Sequence, residues 1–91
     1  MVRVFINGYG NIGRRVASAF SHYKDIQFVG IGKYSIDEKL DEAIAKKFPV
    51  YVPEEKMTEF RQKGYDISGT IYDAIKRSDI VIDAAKEGFG F

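Results

Sequence analysis

Val2-Arg3-Val4-Phe5-Ile6-Asn7-Gly8-Tyr9-Gly10-Asn11-Ile12-Gly13 decides the fold of this 91-residue chain. Val2 to Ile6 is rich in β-branched residues and reads as a buried strand starting near Met1. Ile12, Val16, Ala19, Phe20 and Tyr23 then recur at helical spacing and predict a helix over residues 11–23. Between the two stands Gly8-x-Gly10-x-x-Gly13, directly after a strand and opening a helix. In that context the pattern carries dinucleotide-binding meaning. Gly8 allows a tight turn, Gly10 has no Cβ to hold a pyrophosphate away, and Gly13 lets the helix pack close to the strand. The amides around Asn11 and Ile12 would face the phosphates, with the helix dipole behind them. The alternative is a glycine-rich turn without a ligand; a strand and a helix both in register weigh against it.

Working outward, the rest of the chain alternates in the same way. Ile26-Gln27-Phe28-Val29-Gly30-Ile31-Gly32 is apolar nearly throughout, as parallel strands covered on both faces are. Ser35-Ile36-Asp37-Glu38 reads as a capping box with Ser35 at the N-cap, opening a helix that turns Ile36, Leu40 and Ile44 to one face. Residues 48–52 form a short strand in which Pro49 belongs near an edge or a strand start. Pro53-Glu54-Glu55 opens a further helix, with Met57 and Phe60 inward and Gly64 just past its end. Residues 65–67 read as a brief extended piece. Thr70 caps a helix over residues 71–77, with Ile71, Ala74 and Ile75 inward. Residues 79–83 complete the pattern as an aliphatic strand, followed by a Gly-rich loop over residues 86–91. The alternation implies an α/β fold, a doubly wound parallel sheet.

Composition bounds the function classes. Apolar residues make up 45% and charged residues 30%, the balance of a globular chain that fits one small domain, residues 1–91. The net charge is +1 with both signs interleaved, which argues against a nucleic-acid surface. No apolar run approaches a membrane span, and Arg3 and Asn7 interrupt any signal-peptide pattern, so a cytoplasmic location is expected. With no cysteine, disulfides, thiolate metal sites and a cysteine nucleophile are excluded; the single histidine, His22, reads as a surface residue and not a metal ligand.

A dinucleotide fold places an acidic residue roughly 20 positions past the glycines, at the end of the second strand, to take the ribose 2′-hydroxyl. Here that end reads Gly32-Lys33-Tyr34-Ser35, without an acid. Lys33, with Tyr34 beside it, would attract a 2′-phosphate, so NADP is expected ahead of NAD. The alternative is a solvated surface lysine. If the last strand lies beside the first, away from the second, the turns after Ile6 and Asp83 line one crevice at the switch point. Ala84 and Ala85 would then approach the cofactor with little side chain, and Glu87 and Gly88 would begin a helix or a second anion-facing turn. Small residues after a strand are common, and an unliganded turn stays open there.

Ile6-Asn7-Gly8-Tyr9-Gly10-Asn11-Ile12-Gly13-Arg14-Arg15-Val16 resembles the opening of glyceraldehyde-3-phosphate dehydrogenases of the archaeal type. The resemblance continues through Val29-Gly30-Ile31-Gly32-Lys33, Val50-Tyr51-Val52-Pro53, Ile67-Ser68-Gly69-Thr70 and Ser78-Asp79-Ile80-Val81-Ile82-Asp83. It implies the NAD(P)-binding, Rossmann-like part of a tetrameric glycolytic oxidoreductase, with the 2′-phosphate contact on Lys33 and pyrophosphate contacts on Asn11 and Ile12. Ala85-Lys86 stands where the family usually has Thr-Pro. The family's catalytic cysteine, histidine and phosphate-binding residues lie in a later domain, beyond roughly its first quarter, as do the strands that complete its sheet. The resemblance therefore implies a truncated sheet with an incomplete second half, and a chain inactive by itself, with no catalytic residue of its own. Its expected partners are a dinucleotide and either a second copy or a missing catalytic domain. A free-standing NADP-sensing module and a structural domain without ligand are the other two readings.

Overall fold

The N-terminal apolar run forms strand β1 (Val2–Asn7), which lies inside the sheet and not at its edge. A computed structural model describes residues 1–84 of the chain. Ala85, Glu87 and Gly88, expected above to face the cofactor, lie outside the described residues. After β1 come α1 (Asn11–Phe20), β2 (Ile26–Gly32), α2 (Glu38–Ala45), β3 (Val50–Val52), a 3-10 turn (Glu54–Lys56), α3 (Met57–Gln62), β4 (Gly69–Thr70), α4 (Ile71–Arg77) and β5 (Ile80–Asp83). The five strands pair in parallel in the order β4-β3-β2-β1-β5. β5 thus joins β1 on the side away from β2, as expected, and the strand order reverses between β1 and β5. This is a Rossmann-like α/β sheet.

Alternation along the strands sorts the core into two layers. Ile6, Ile31, Val50 and Val52 are fully buried on one face with Ala17 of α1, Leu40 and Ala43 of α2 and Phe60 of α3. Phe5, Val29 and Tyr51 point to the other face, where Ala74 of α4 covers them. Phe5 and Tyr51 meet edge to face, with ring centroids 5.7 Å apart. A bulge in β2 makes both layers possible: Val4 pairs with Phe28 and Phe5 with Gly30, leaving Val29 as the extra residue. Gly30 takes φ 149°, and a Cβ there would lie 2.5 Å from the Pro49 carbonyl oxygen. That carbonyl accepts the Ile31 amide at 2.9 Å, so this position needs glycine to keep β3 on the sheet.

Several elements differ from the sequence reading. α1 ends at Phe20: the Ser21 amide still bonds to Ala17, but His22 and Tyr23 close the end with tighter bonds to Ala19 and Phe20, three residues back. The N-cap of α2 is Asp37 and not Ser35: the Asp37 carboxylate accepts the amides of Lys39 and Leu40 at 3.0 and 3.2 Å. β3 starts at Val50, because the Phe48 amide is spent on Ala43 and Pro49 has none to give. Residues 65–67 form no strand; pairing with Tyr51 and Val52 falls instead on Gly69 and Thr70. α4 begins at Thr70's cap as expected, with a full capping box to Asp73, and Gly64 follows the end of α3. Ile75, expected inward, is 42% exposed; the apolar residues of α4 that pack on this face of the sheet are Ala74 and Ile71.

Candidate functional site

The glycine turn leaves β1 at Asn7 and enters α1 at Gly10. Gly8 is buried with φ 121°, which bends the chain where an L side chain would be strained. Gly13 seats α1 on that bend: a Cβ there would stand 2.4 Å from the Gly8 carbonyl oxygen. Gly10 differs, because a Cβ on it would meet nothing within 4 Å. Gly10 is the N-cap of α1; among the described residues no side chain caps this end, and no acid sits in the first turn. The first α-helical bond runs from the Arg14 amide to Gly10 at 2.9 Å, so the amides of Asn11, Ile12 and Gly13 precede the helix's own acceptors. Asn11 and Ile12 are both exposed there, Ile12 by 65%. The turn after β5 reaches the same place. Ala84 donates its amide to the Asn7 carbonyl at 2.9 Å, and its Cβ lies 3.6 Å from where one on Gly13 would be. The structure therefore brings Gly8, Gly10, Gly13 and Ala84 together at the C-terminal ends of β1 and β5.

Tyr9, between the two outer glycines, turns inward and is almost fully buried. Its hydroxyl donates to Glu42 Oε2 of α2 at 3.0 Å, the same oxygen that takes Arg14 Nε at 3.1 Å and Lys46 Nζ at 3.5 Å. Burial, and then the bond to Glu42, hold the Tyr9 hydroxyl well above its ordinary pKa. The Tyr9 bond, with Arg14 and Lys46, holds the Glu42 carboxyl below its usual range against some desolvation. The glycine turn is thereby braced to α2. Sequence reasoning missed this residue, and an aromatic placed between two glycines was the only local signal of it.

At the end of β2, Lys33 is only 5% exposed, so it is not a solvated surface lysine. Its Nζ lies 2.8 Å from Asp37 Oδ1 and 2.9 Å from Oδ2. An acid does stand at this strand end after all; it comes from four residues downstream, folded back as the cap of α2. Burial raises the Asp37 carboxyl, but Lys33 and the amides of Leu40 and Lys39 outweigh it and leave the pKa lowered. Ser35 Oγ lies 3.4 Å from Asp37 Oδ2, as a fourth donor. Tyr34 turns its hydroxyl to Asn7 Oδ1 at 2.8 Å, tying the ends of β1 and β2 together. Its carbonyl accepts Lys56 Nζ at 2.6 Å, so a second lysine, unmarked by any motif, borders the same strand end.

A cavity of about 310 Å³ opens at the other end of the sheet, lined by Arg3, Gln27, Phe28, Val29, Pro49, Tyr51 and Arg77. None of the glycine-turn residues lines it. Among the described residues no helix is long and apolar enough to cross a membrane.

A parallel sheet reversing at β1 and β5, with a glycine turn onto a helix N-terminus at that point, defines a doubly wound, Rossmann-like fold. In sequence the chain is similar to archaeal proteins named glyceraldehyde-3-phosphate dehydrogenase. It is 40% identical over 89 residues to the one from Hyperthermus butylicus, covering 98% of this chain and 26% of that protein. Over 90 residues it is 38% identical to the one from Pyrobaculum calidifontis and 40% to the one from Saccharolobus islandicus strain M.16.27, covering 99% of this chain and 26% of each relative. The chain thus spans about a quarter of the length of the curated relatives it matches. No family model matches it.

Proposed function

We propose that this chain is one cofactor-binding unit, the nicotinamide dinucleotide-binding part of a glyceraldehyde-3-phosphate dehydrogenase, and that it takes NADP ahead of NAD. The observation that carries the reading is the open space over Gly10, at a helix start with no capping side chain, with Ala84 from the turn after β5 close to Gly13 in the same helix turn. In this reading Gly8, Gly10, Asn11, Ile12 and Gly13 hold the pyrophosphate. Lys33 and Tyr34 stand at the adenosine ribose, and Ala84 borders the crevice. A charge-assisted contact from Lys33 to a 2′-phosphate is worth about 1.5–3 kcal/mol, or roughly tenfold to a hundredfold in affinity. Without a cysteine the chain supplies no thiol to attack an aldehyde, so the acyl-transfer chemistry of such an enzyme needs residues from elsewhere. When bound, the cofactor supplies hydride acceptance; this chain's residues bind and orient it. Calorimetric titration tests the proposal. NADP is expected to bind more tightly than NAD; equal affinities would remove the preference, and binding of neither would overturn the whole reading.

A further inference from the structure

We infer that Asp37 is a specificity-determining residue: its carboxylate is the built-in counter-ion of Lys33 and sets how strongly this strand end takes a 2′-phosphate over a 2′-hydroxyl. The inference rests on the cofactor reading above and adds a residue that spacing alone did not disclose. Both Asp37 oxygens lie within hydrogen-bond distance of Lys33 Nζ, at 2.8 and 2.9 Å. The lysine side chain is 6% exposed and the aspartate side chain 41%, so the acid presents the more accessible surface of the pair. Asp37 is also fixed in place, because Oδ1 accepts the amides of Lys39 and Leu40 that open α2.

An incoming 2′-phosphate must share Lys33 with a carboxylate already on it, at a distance where like charges repel. A ribose 2′-hydroxyl meets the opposite situation: it donates to the exposed carboxylate, the role an acid at this strand end ordinarily plays. Lys33 and Lys56 pull the strand end toward phosphate, Asp37 pulls it toward hydroxyl, and the balance is set by one charge.

Asp37→Asn removes that charge while keeping a strong N-cap residue. Affinity for 2′,5′-ADP, measured by calorimetry, is expected to rise about tenfold, as for removal of one nearby like charge. Affinity for AMP, which carries a free 2′-hydroxyl, should stay level or fall. The NADP to NAD ratio should move in the same direction, and Asp37→Ser, a second uncharged cap, should reproduce it. A merely structural role for Asp37 would weaken all four ligands together. An unchanged 2′,5′-ADP to AMP ratio in both folded variants, with the original chain still binding NADP, overturns this inference alone. Failure of the original chain to bind either dinucleotide overturns it together with the cofactor reading.

Discussion

The Tyr9 hydroxyl donates to the Glu42 carboxylate at 3.0 Å, joining the glycine turn to α2 across 33 residues of sequence. The same helix holds Lys33 through its N-cap, so α2 touches both ends of the candidate site, the turn through Glu42 and the ribose end through Asp37. The pair should be visible in the pH dependence of stability. Glu42 is lowered in the fold, so its contribution is present above its ordinary value of 4.5 and lost as pH falls through the lowered one. Tyr9 is raised, so its contribution is intact below its ordinary value of 10.0 and lost as pH rises further. In a tyrosinate absorbance titration, the latest-ionising phase should disappear in Tyr9→Phe. Tyr65, raised by burial and by Asp41, also ionises late, and the variant separates the two. Persistence of that latest phase in Tyr9→Phe would show that the hydroxyl is not held as described.

Gly10 and Gly13 should fail in different ways. Gly10→Val has room and an ordinary extended backbone at φ −91°, so helix content and melting should change little while dinucleotide binding is lost. Gly13→Ala pushes a methyl group to 2.4 Å from the Gly8 carbonyl and should cost about 1–3 kcal/mol of stability. Circular dichroism melts and cofactor titration of the two variants check this. A Gly10→Val chain that binds NADP normally would place the ligand elsewhere.

Lys47 is a site where the chain can be made more stable. It sits in the left-handed region, with φ 64°, at the end of α2. There its amide bonds to Ile44 at 2.9 Å, and the Phe48 amide bonds to Ala43 at 3.0 Å, a Schellman ending that favours glycine. The strain of a β-carbon there exceeds the extra chain entropy that glycine loses on folding, so Lys47→Gly should gain roughly 0.5–1 kcal/mol. Denaturant midpoints measure it; a lower midpoint would contradict the capping argument.

Among the described residues β5 is an edge strand, with Ile80 49% and Val81 39% exposed. Neither proline nor lysine blunts it between Ile80 and Asp83, so it invites a further strand or a second copy. Sedimentation should show association that grows with concentration, and Val81→Lys should shift the population toward monomer. A mass independent of concentration in the unmodified chain would show that the edge is covered.

Much of this protein was decided locally and was legible residue by residue. The strand from Val2, the glycine turn, the helix start at Asn11, the bounds of β2 and the Thr70 cap each rest on neighbours in sequence. β-branching, missing Cβ atoms and side-chain capping act within a few residues. The place of β5 beside β1 was legible too, because an aliphatic strand after alternating βα units has few places to go. Other features depended on which surfaces meet. Ser35 and Asp37 are comparable caps two residues apart, and Asp37 holds the position that starts α2 with Leu40 and Ala43 buried against the sheet. That same choice carried a carboxylate onto Lys33, which composition at the strand end had presented as an unopposed cation. The exposure of Ile75, the pairing of Gly69 with Tyr51 and the bond from Tyr9 to Glu42 share this origin. Their partners are set by packing across the sheet and between its helices, and no periodicity within one segment specifies a neighbour on another.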